Sequence, residues 1–125
     1  VNHLHSNMCL HRDIKPENIL HNAAGQVKLT DFGISRDLAA SSAIACTFVG
    51  THTYMAPERC SGEPYSFLSD TWSIGMVIYE LATGSYPFRD ISTFIGLHEA
   101  ITDKPEPRLD ESRFAPELCD VVSKC

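Results

Sequence analysis

His11-Arg12-Asp13-Ile14-Lys15-Pro16-Glu17-Asn18 is followed, eighteen residues beyond Asp13, by Asp31-Phe32-Gly33. Between these polar clusters stand two short β-prone runs, Asn18-Ile19-Leu20-His21 and Gln26-Val27-Lys28-Leu29-Thr30, joined by Asn22-Ala23-Ala24-Gly25. Asn and Gly in that joint have the turn chemistry of a hairpin. A hairpin folds its ends together, so Asp31, at the end of the second strand, is expected opposite the loop that carries Asp13.

Outward from this stretch the chain is helical. Val1 to Ser6 has the pattern of the tail of an amphipathic helix, with Asn7 as its left-handed cap. Beyond Gly33 periodicity is lost: Ser41, Ser42, Ala43, Ala45, Thr47 and Thr51 are small or hydroxylated, as in a mobile surface segment. Met55-Ala56-Pro57-Glu58 closes that segment, and Ser61-Gly62-Glu63-Pro64 is a second loop. A helix is expected from about Leu68 to Ala82, capped by Ser66 and stopped by Gly84. Its Trp72, Ile74, Met76, Val77, Ile78, Tyr79 and Leu81 point all round, the pattern of a helix buried on every side. Ile91 to Ile101 is amphipathic, with Phe94, Ile95, Leu97, His98 and Ile101 expected together. Lys104-Pro105-Glu106-Pro107 breaks it. A last helix starts at Pro116, after the poor cap Ala115, and is expected to reach Cys125.

The 125 residues are 43% hydrophobic, enough for one globular unit with a core. Ten basic against sixteen acidic side chains leave a formal charge of −6, which argues against a nucleic-acid or membrane-surface grip. The apolar run near Ile74 to Leu81 contains Glu80 and is too short to span a bilayer. No secretory signal opens the sequence. Cys9, Cys46, Cys60, Cys119 and Cys125 lack CxxC spacing and are odd in number, which fits free thiols in a reducing, cytoplasmic compartment. His3-Leu4-His5 and Cys9-Leu10-His11 are too few ligands for a four-coordinate site, and helix-end and core histidines are the better account.

His11 through Asn18, Asp31-Phe32-Gly33 and Ala56-Pro57-Glu58, in this order and spacing, resemble the catalytic loop, metal-binding loop and segment-closing motif of protein kinases. The resemblance implies a mainly α fold with a small β-hairpin, the large C-terminal lobe of a protein kinase, incomplete at both ends. Residues 1–125 would be a partial kinase domain without the Gly-rich phosphate loop, strand lysine and helix glutamate that hold ATP from above. Such a chain is expected to be inactive alone.

Each requirement of phosphoryl transfer then has a residue. Asp13 can accept or orient the substrate hydroxyl's proton. Lys15 places a compact positive charge near the moving phosphate. Asn18 and Asp31 supply hard oxygens for Mg²⁺ shared with ATP. Taken singly, all three of Asp13, Asn18 and Asp31 could be turn residues; the combination decides. Phe32 and His11 are expected to pack. Arg12, beside the catalytic Asp, implies pairing with a phosphate on the mobile segment, the alternative being a structural Arg paired with a carboxylate. Thr51 resembles the substrate-loop threonine that contacts Asp13 and Lys15. Asp70 matches the residue that anchors the catalytic loop, with Trp72 filling core. Glu58 pairs in the family with an arginine beyond the helix starting at Pro116; that arginine is absent here.

Thr47-Phe48-Val49-Gly50-Thr51-His52-Thr53-Tyr54-Met55-Ala56-Pro57-Glu58-Arg59 is similar to the activation segment of MAP kinase kinases. Tyr65-Ser66 with Ser69-Asp70, Ala82-Thr83-Gly84, and Phe114 to Cys119 look like the same group. Ser41 and Thr47, with five residues between them, have the spacing of paired phosphosites in its plant-type members, and Ser42 is the reserve. Glu17, where the group usually has Ser, and Thr30, where its animal members usually have Cys, also suit other Ser/Thr kinases. An upstream activating kinase and a protein substrate, a MAP kinase in this group, are the implied partners. A non-catalytic lobe that docks a kinase or substrate is the competing class; intact Asp13, Lys15, Asn18 and Asp31 favour the enzyme.

Overall fold

The computed structural model describes residues 1–31, 53–64 and 66–125. Their order is α1 (Asn2–Ser6), a 3-10 turn (Pro16–Asn18), β1 (Ile19–His21), β2 (Val27–Leu29), α2 (Pro57–Cys60), α3 (Phe67–Thr83), α4 (Phe94–Asp103) and α5 (Pro116–Ser123). None of these helices is long and apolar enough to cross a membrane.

The hairpin is antiparallel, pairing Ile19 with Leu29, Leu20 with Lys28 and His21 with Val27. Asn22 makes the turn: its Oδ1 accepts the N–H groups of Ala24 and Gln26 at 3.0 Å each. Gly25, at φ 74°, takes the left-handed position that a side chain would strain. The Thr30 N–H donates to Asn18 O at 3.0 Å and continues the pairing one step. Asn18 and Asp31 are thereby brought to the same end of the hairpin.

Helix α3 begins on a reciprocal cap in which Ser66 accepts the Leu68 N–H while Ser69 Oγ accepts the Ser66 N–H. Both bonds satisfy donors that a helix start leaves bare. Gly84 ends it in the left-handed region at φ 78°. The expectation of burial on every side fails: Leu68 and Leu81 are 74% and 72% exposed. The fully covered positions include Ser69, Asp70 and Ser73. An apolar count misses these, because what covers them is backbone that needs hydrogen-bond partners.

One side of α3 packs on α5. Leu109, Cys119 and Val122 are buried there against Ile78, Tyr79, Ala82, Phe114 and Leu118. A Cβ on Gly75 would lie 2.6 Å from the Cβ of Cys125, so the close approach of residue 125 to α3 needs glycine. Helix α5 ends at Ser123, short of the expected Cys125. On α4, Leu97, Ala100 and Ile101 are buried at helical spacing, whereas Ile95 is exposed. Two residues before Leu97, Ile95 falls on nearly the opposite face of a helix with ~100° per residue.

Helix α1 corrects the expected cap by one residue. Asn7 has φ −99°, and Met8 is the left-handed residue at φ 56°. The Met8 N–H donates to His5 O and the Cys9 N–H to Leu4 O, which is the Schellman pattern. Asn7 instead uses its side-chain amide to bond His3 O at 2.7 Å.

Candidate active site

The buried carboxylate of Asp70 organises the loop before Asp13. Its Oδ1 accepts the Arg12 N–H at 2.8 Å. Its Oδ2 accepts the His11 N–H at 2.8 Å and the ring Nε2 of His5 at 3.0 Å. Arg12 sits at φ 72°, a region that costs a side-chain-bearing residue about 1–2 kcal/mol. Hydrogen bonds to a charged acceptor contribute roughly 1.5–3 kcal/mol each, so the two backbone bonds outweigh that strain.

His11 does more than pack. It is fully buried, with Nε2 3.0 Å from Thr30 O and Nδ1 3.3 Å from the Asp13 N. A carbonyl only accepts, so Nε2 carries the proton and the lone pair of Nδ1 receives the Asp13 N–H. One ring therefore joins the residue before Asp31 to the backbone of Asp13.

The 3-10 turn folds the loop back on itself. Pro16 opens the turn with its preset φ, and the Asn18 N–H closes it on Lys15 O at 3.0 Å. As a result Asn18 Nδ2 donates to Asp13 O at 2.8 Å and to Asp13 Oδ2 at 3.0 Å. Lys15 Nζ reaches the same Oδ2 at 2.8 Å. Asp13, Lys15 and Asn18 meet at one carboxylate oxygen. Asp31 stands exposed at the end of β2 with φ 62°, a conformation that Asp tolerates better than most residues.

A second set of bonds ties residues 53–58 to α3. Ser73 Oγ donates to Tyr54 O at 2.7 Å, and Tyr54 Oη donates to Glu80 Oε2 at 2.5 Å. Tyr86 Oη donates to Thr53 O, and the two tyrosine rings meet edge to face at 5.5 Å. Burial raises both phenol pKa values, and the bond to Glu80 adds to the rise at Tyr54. Glu58, expected to be without its usual arginine, is held by a hydroxyl: Ser69 Oγ donates to its Oε1 at 2.5 Å. Ser69, Ser73 and Glu80 lie within about 40° of one another around the helix, which makes a single polar stripe.

The sequence marked His5 only as a helix-end or core histidine, and Ser69, Ser73 and Glu80 only by their spacing on a helix otherwise rich in apolar residues. Phe32, Ser41, Ser42, Thr47 and Thr51 lie outside the described residues, as does the segment that Arg12 was expected to contact. Tyr65 does as well. The donor set fits a hard cation: Asn18 contributes an amide oxygen and Asp31 a carboxylate, the ligand types Mg²⁺ takes beside phosphate oxygens.

The model of the protein kinase domain family matches residues 1–125. The chain belongs to the protein kinase family. Mitogen-activated protein kinase kinase 1 of Arabidopsis thaliana is 44% identical over 97% of this chain and 36% of its own length. Mitogen-activated protein kinase kinase SIPKK of Nicotiana tabacum gives the same identity and the same shares. Dual specificity protein kinase FUZ7 of Mycosarcoma maydis is 58% identical over 65% of this chain and 18% of its own length. The chain spans about a third of the length of the first two relatives.

Proposed function

We propose that the chain is the larger-lobe portion of a protein kinase of the MAP kinase kinase group, working in a cytoplasmic signalling cascade. It transfers the γ-phosphoryl group of ATP to Ser or Thr, and in this group to Thr and Tyr of a MAP kinase. The convergence of Lys15 and Asn18 on Asp13 Oδ2 carries the proposal. Asp13 takes or orients the proton of the substrate hydroxyl as general base. Asn18 Nδ2 holds that carboxylate in one orientation. Lys15 sets a mobile point charge beside it, where negative charge gathers during transfer. Bound ATP and Mg²⁺ supply the phosphoryl group and neutralise its oxygens, with Asn18 and Asp31 as the residues that would hold the metal. Asp70 and Glu58 are architectural. Arg12 pairs with phosphate placed on Ser41 and Thr47 by an upstream kinase, and Thr51 serves the substrate loop.

The test is Asp13→Asn in the native polypeptide. Transfer to a protein substrate falls at least about a hundredfold, while the free energy of urea unfolding changes by less than ~1 kcal/mol. Undiminished transfer by the variant would sink the proposal, and absence of transfer by the unsubstituted protein would leave the docking-module alternative. Thr47→Ala is expected to block activation by the upstream kinase, and full activation would remove Thr47 from the switch. Purified 1–125, which contains no Gly-rich phosphate loop, is expected to transfer no phosphate.

A further inference from the structure

We infer that His5 is a positioning residue for Asp13, acting through the carboxylate of Asp70 on the left-handed backbone at Arg12. The inference rests on the kinase proposal for its activity readout only. Asp70 Oδ2 is shared between His5 Nε2 at 3.0 Å and the His11 N–H at 2.8 Å, whereas Oδ1 serves the Arg12 N–H. Three donors from two directions define one rotation of the carboxylate. Without His5, two donors from neighbouring residues of a single loop remain, and the carboxylate can turn to follow that loop.

The placement of His5 suits this task. It lies in α1, its ring is packed on Phe67 at 4.7 Å between centroids, and Phe67 begins the helix that carries Asp70. A carboxylate only accepts, so the proton is on Nε2; imidazole and imidazolium can both donate from that atom. The path from His5 to Asp13 is short: carboxylate, Arg12 N–H, and then the peptide of Asp13, whose N–H is held by His11. His5 touches none of Asp13, Lys15 or Asn18 through any bond in this path, so its effect is on geometry rather than chemistry.

The decisive contrast is His5→Phe, which keeps a ring for Phe67 but removes the donor, against His5→Gln, whose amide restores a donor at comparable reach. In the native polypeptide, His5→Phe is expected to lower kcat about tenfold with KM for ATP and protein substrate within about twofold, and His5→Gln to recover at least about half. Amide hydrogen exchange of His11 and Arg12 is expected to quicken about tenfold in His5→Phe and to return toward the unsubstituted rate in His5→Gln. Equal losses in both variants would assign His5 to packing alone and overturn the inference. So would unchanged exchange in His5→Phe. Should His5→Phe fail to fold, His5→Asn, whose amide is shorter, gives the same contrast against His5→Gln. If the unsubstituted protein transfers no phosphate, the kinase proposal fails while the exchange contrast still decides the role of His5.

Discussion

Helix α3 has two working sides that are built differently. Toward α5 it presents Ile78, Tyr79 and Ala82 to Leu109, Cys119 and Val122, an apolar contact without bond directions. Toward the loops it presents Ser69, Asp70, Ser73 and Glu80, each bonded to a specific atom of residues 5–12 or 53–58. Dispersion and burial respond to volume and tolerate changes of shape. Buried polar pairs tolerate little, because losing one partner strands the other away from water. The helix thus stabilises the fold on one side and sets loop geometry on the other.

The sharpest way to break this contrast is Asp70→Ala. It strands the His11 and Arg12 N–H groups and His5 Nε2, and leaves the strain at Arg12 uncompensated. The expected loss is about 3–5 kcal/mol in urea unfolding of the native polypeptide, with loss of phosphoryl transfer. A loss under ~1 kcal/mol would show that the loop keeps its conformation without the carboxylate. On the apolar side, Val122→Ala is expected to cost about 2 kcal/mol, and Val122→Ile less than ~1.5 kcal/mol. Transfer should survive both. If Val122→Ala instead altered kcat at unchanged stability, the two sides would not be separable.

Alkaline titration sharpens the polar side further. Cys60, Tyr54 and Tyr86 all hold their protons to higher pH in the folded chain, chiefly through burial, with Cys60 pushed up from 9.0 to about 11. Above the unfolded values of 9.0 for the thiol and 10.0 for the phenols, the unfolded chain binds fewer protons than the folded one. Stability must therefore be fully present below pH 9 and fall as pH rises beyond it. Urea midpoints measured upward from neutral pH should show the fall steepening above pH 10, where the phenols join. Tyr54→Phe should cost about 1 kcal/mol near neutrality, through the bond to Glu80, and flatten the steeper part. A slope unchanged by that substitution would remove Tyr54 as its source.

These two sides were unequally legible in the sequence. The hairpin, the Ser66 and Gly84 limits of α3 and the catalytic-loop residues follow from local turn chemistry and short motifs. A turn closes within a few residues, and its signal lies in those residues. The bonds from Asp70 to His11 and Arg12 span nearly sixty positions, and only a family resemblance suggested that Asp70 anchored anything. Nothing local to Ser69 or Ser73 names a bonding partner, since burial of a hydroxyl depends on which carbonyl or carboxylate the fold delivers to it. His5 reads as a helix-end residue for the same reason. Ile95 could have been placed correctly, because helical spacing alone separates it from Leu97.

Met8 gives the smallest and most selective test. It shares the left-handed conformation of Arg12, at φ 56° against 72°, yet it is 79% exposed. Among the described residues its backbone is held by the Schellman pair, the Met8 N–H on His5 O and the Cys9 N–H on Leu4 O, rather than by a carboxylate. Glycine removes the side-chain strain of about 1–2 kcal/mol but gives back part of it through unfolded-state entropy. Met8→Gly should therefore stabilise the protein by about 0.5–1 kcal/mol and leave transfer unchanged. Arg12→Gly relieves a similar strain but removes the guanidinium proposed to receive phosphate, so activation by the upstream kinase should fail although the Asp70 bonds to the backbone can persist. If Arg12→Gly activates normally, the left-handed turn and its Asp70 clamp are sufficient at that position, and the side chain has no part in the switch.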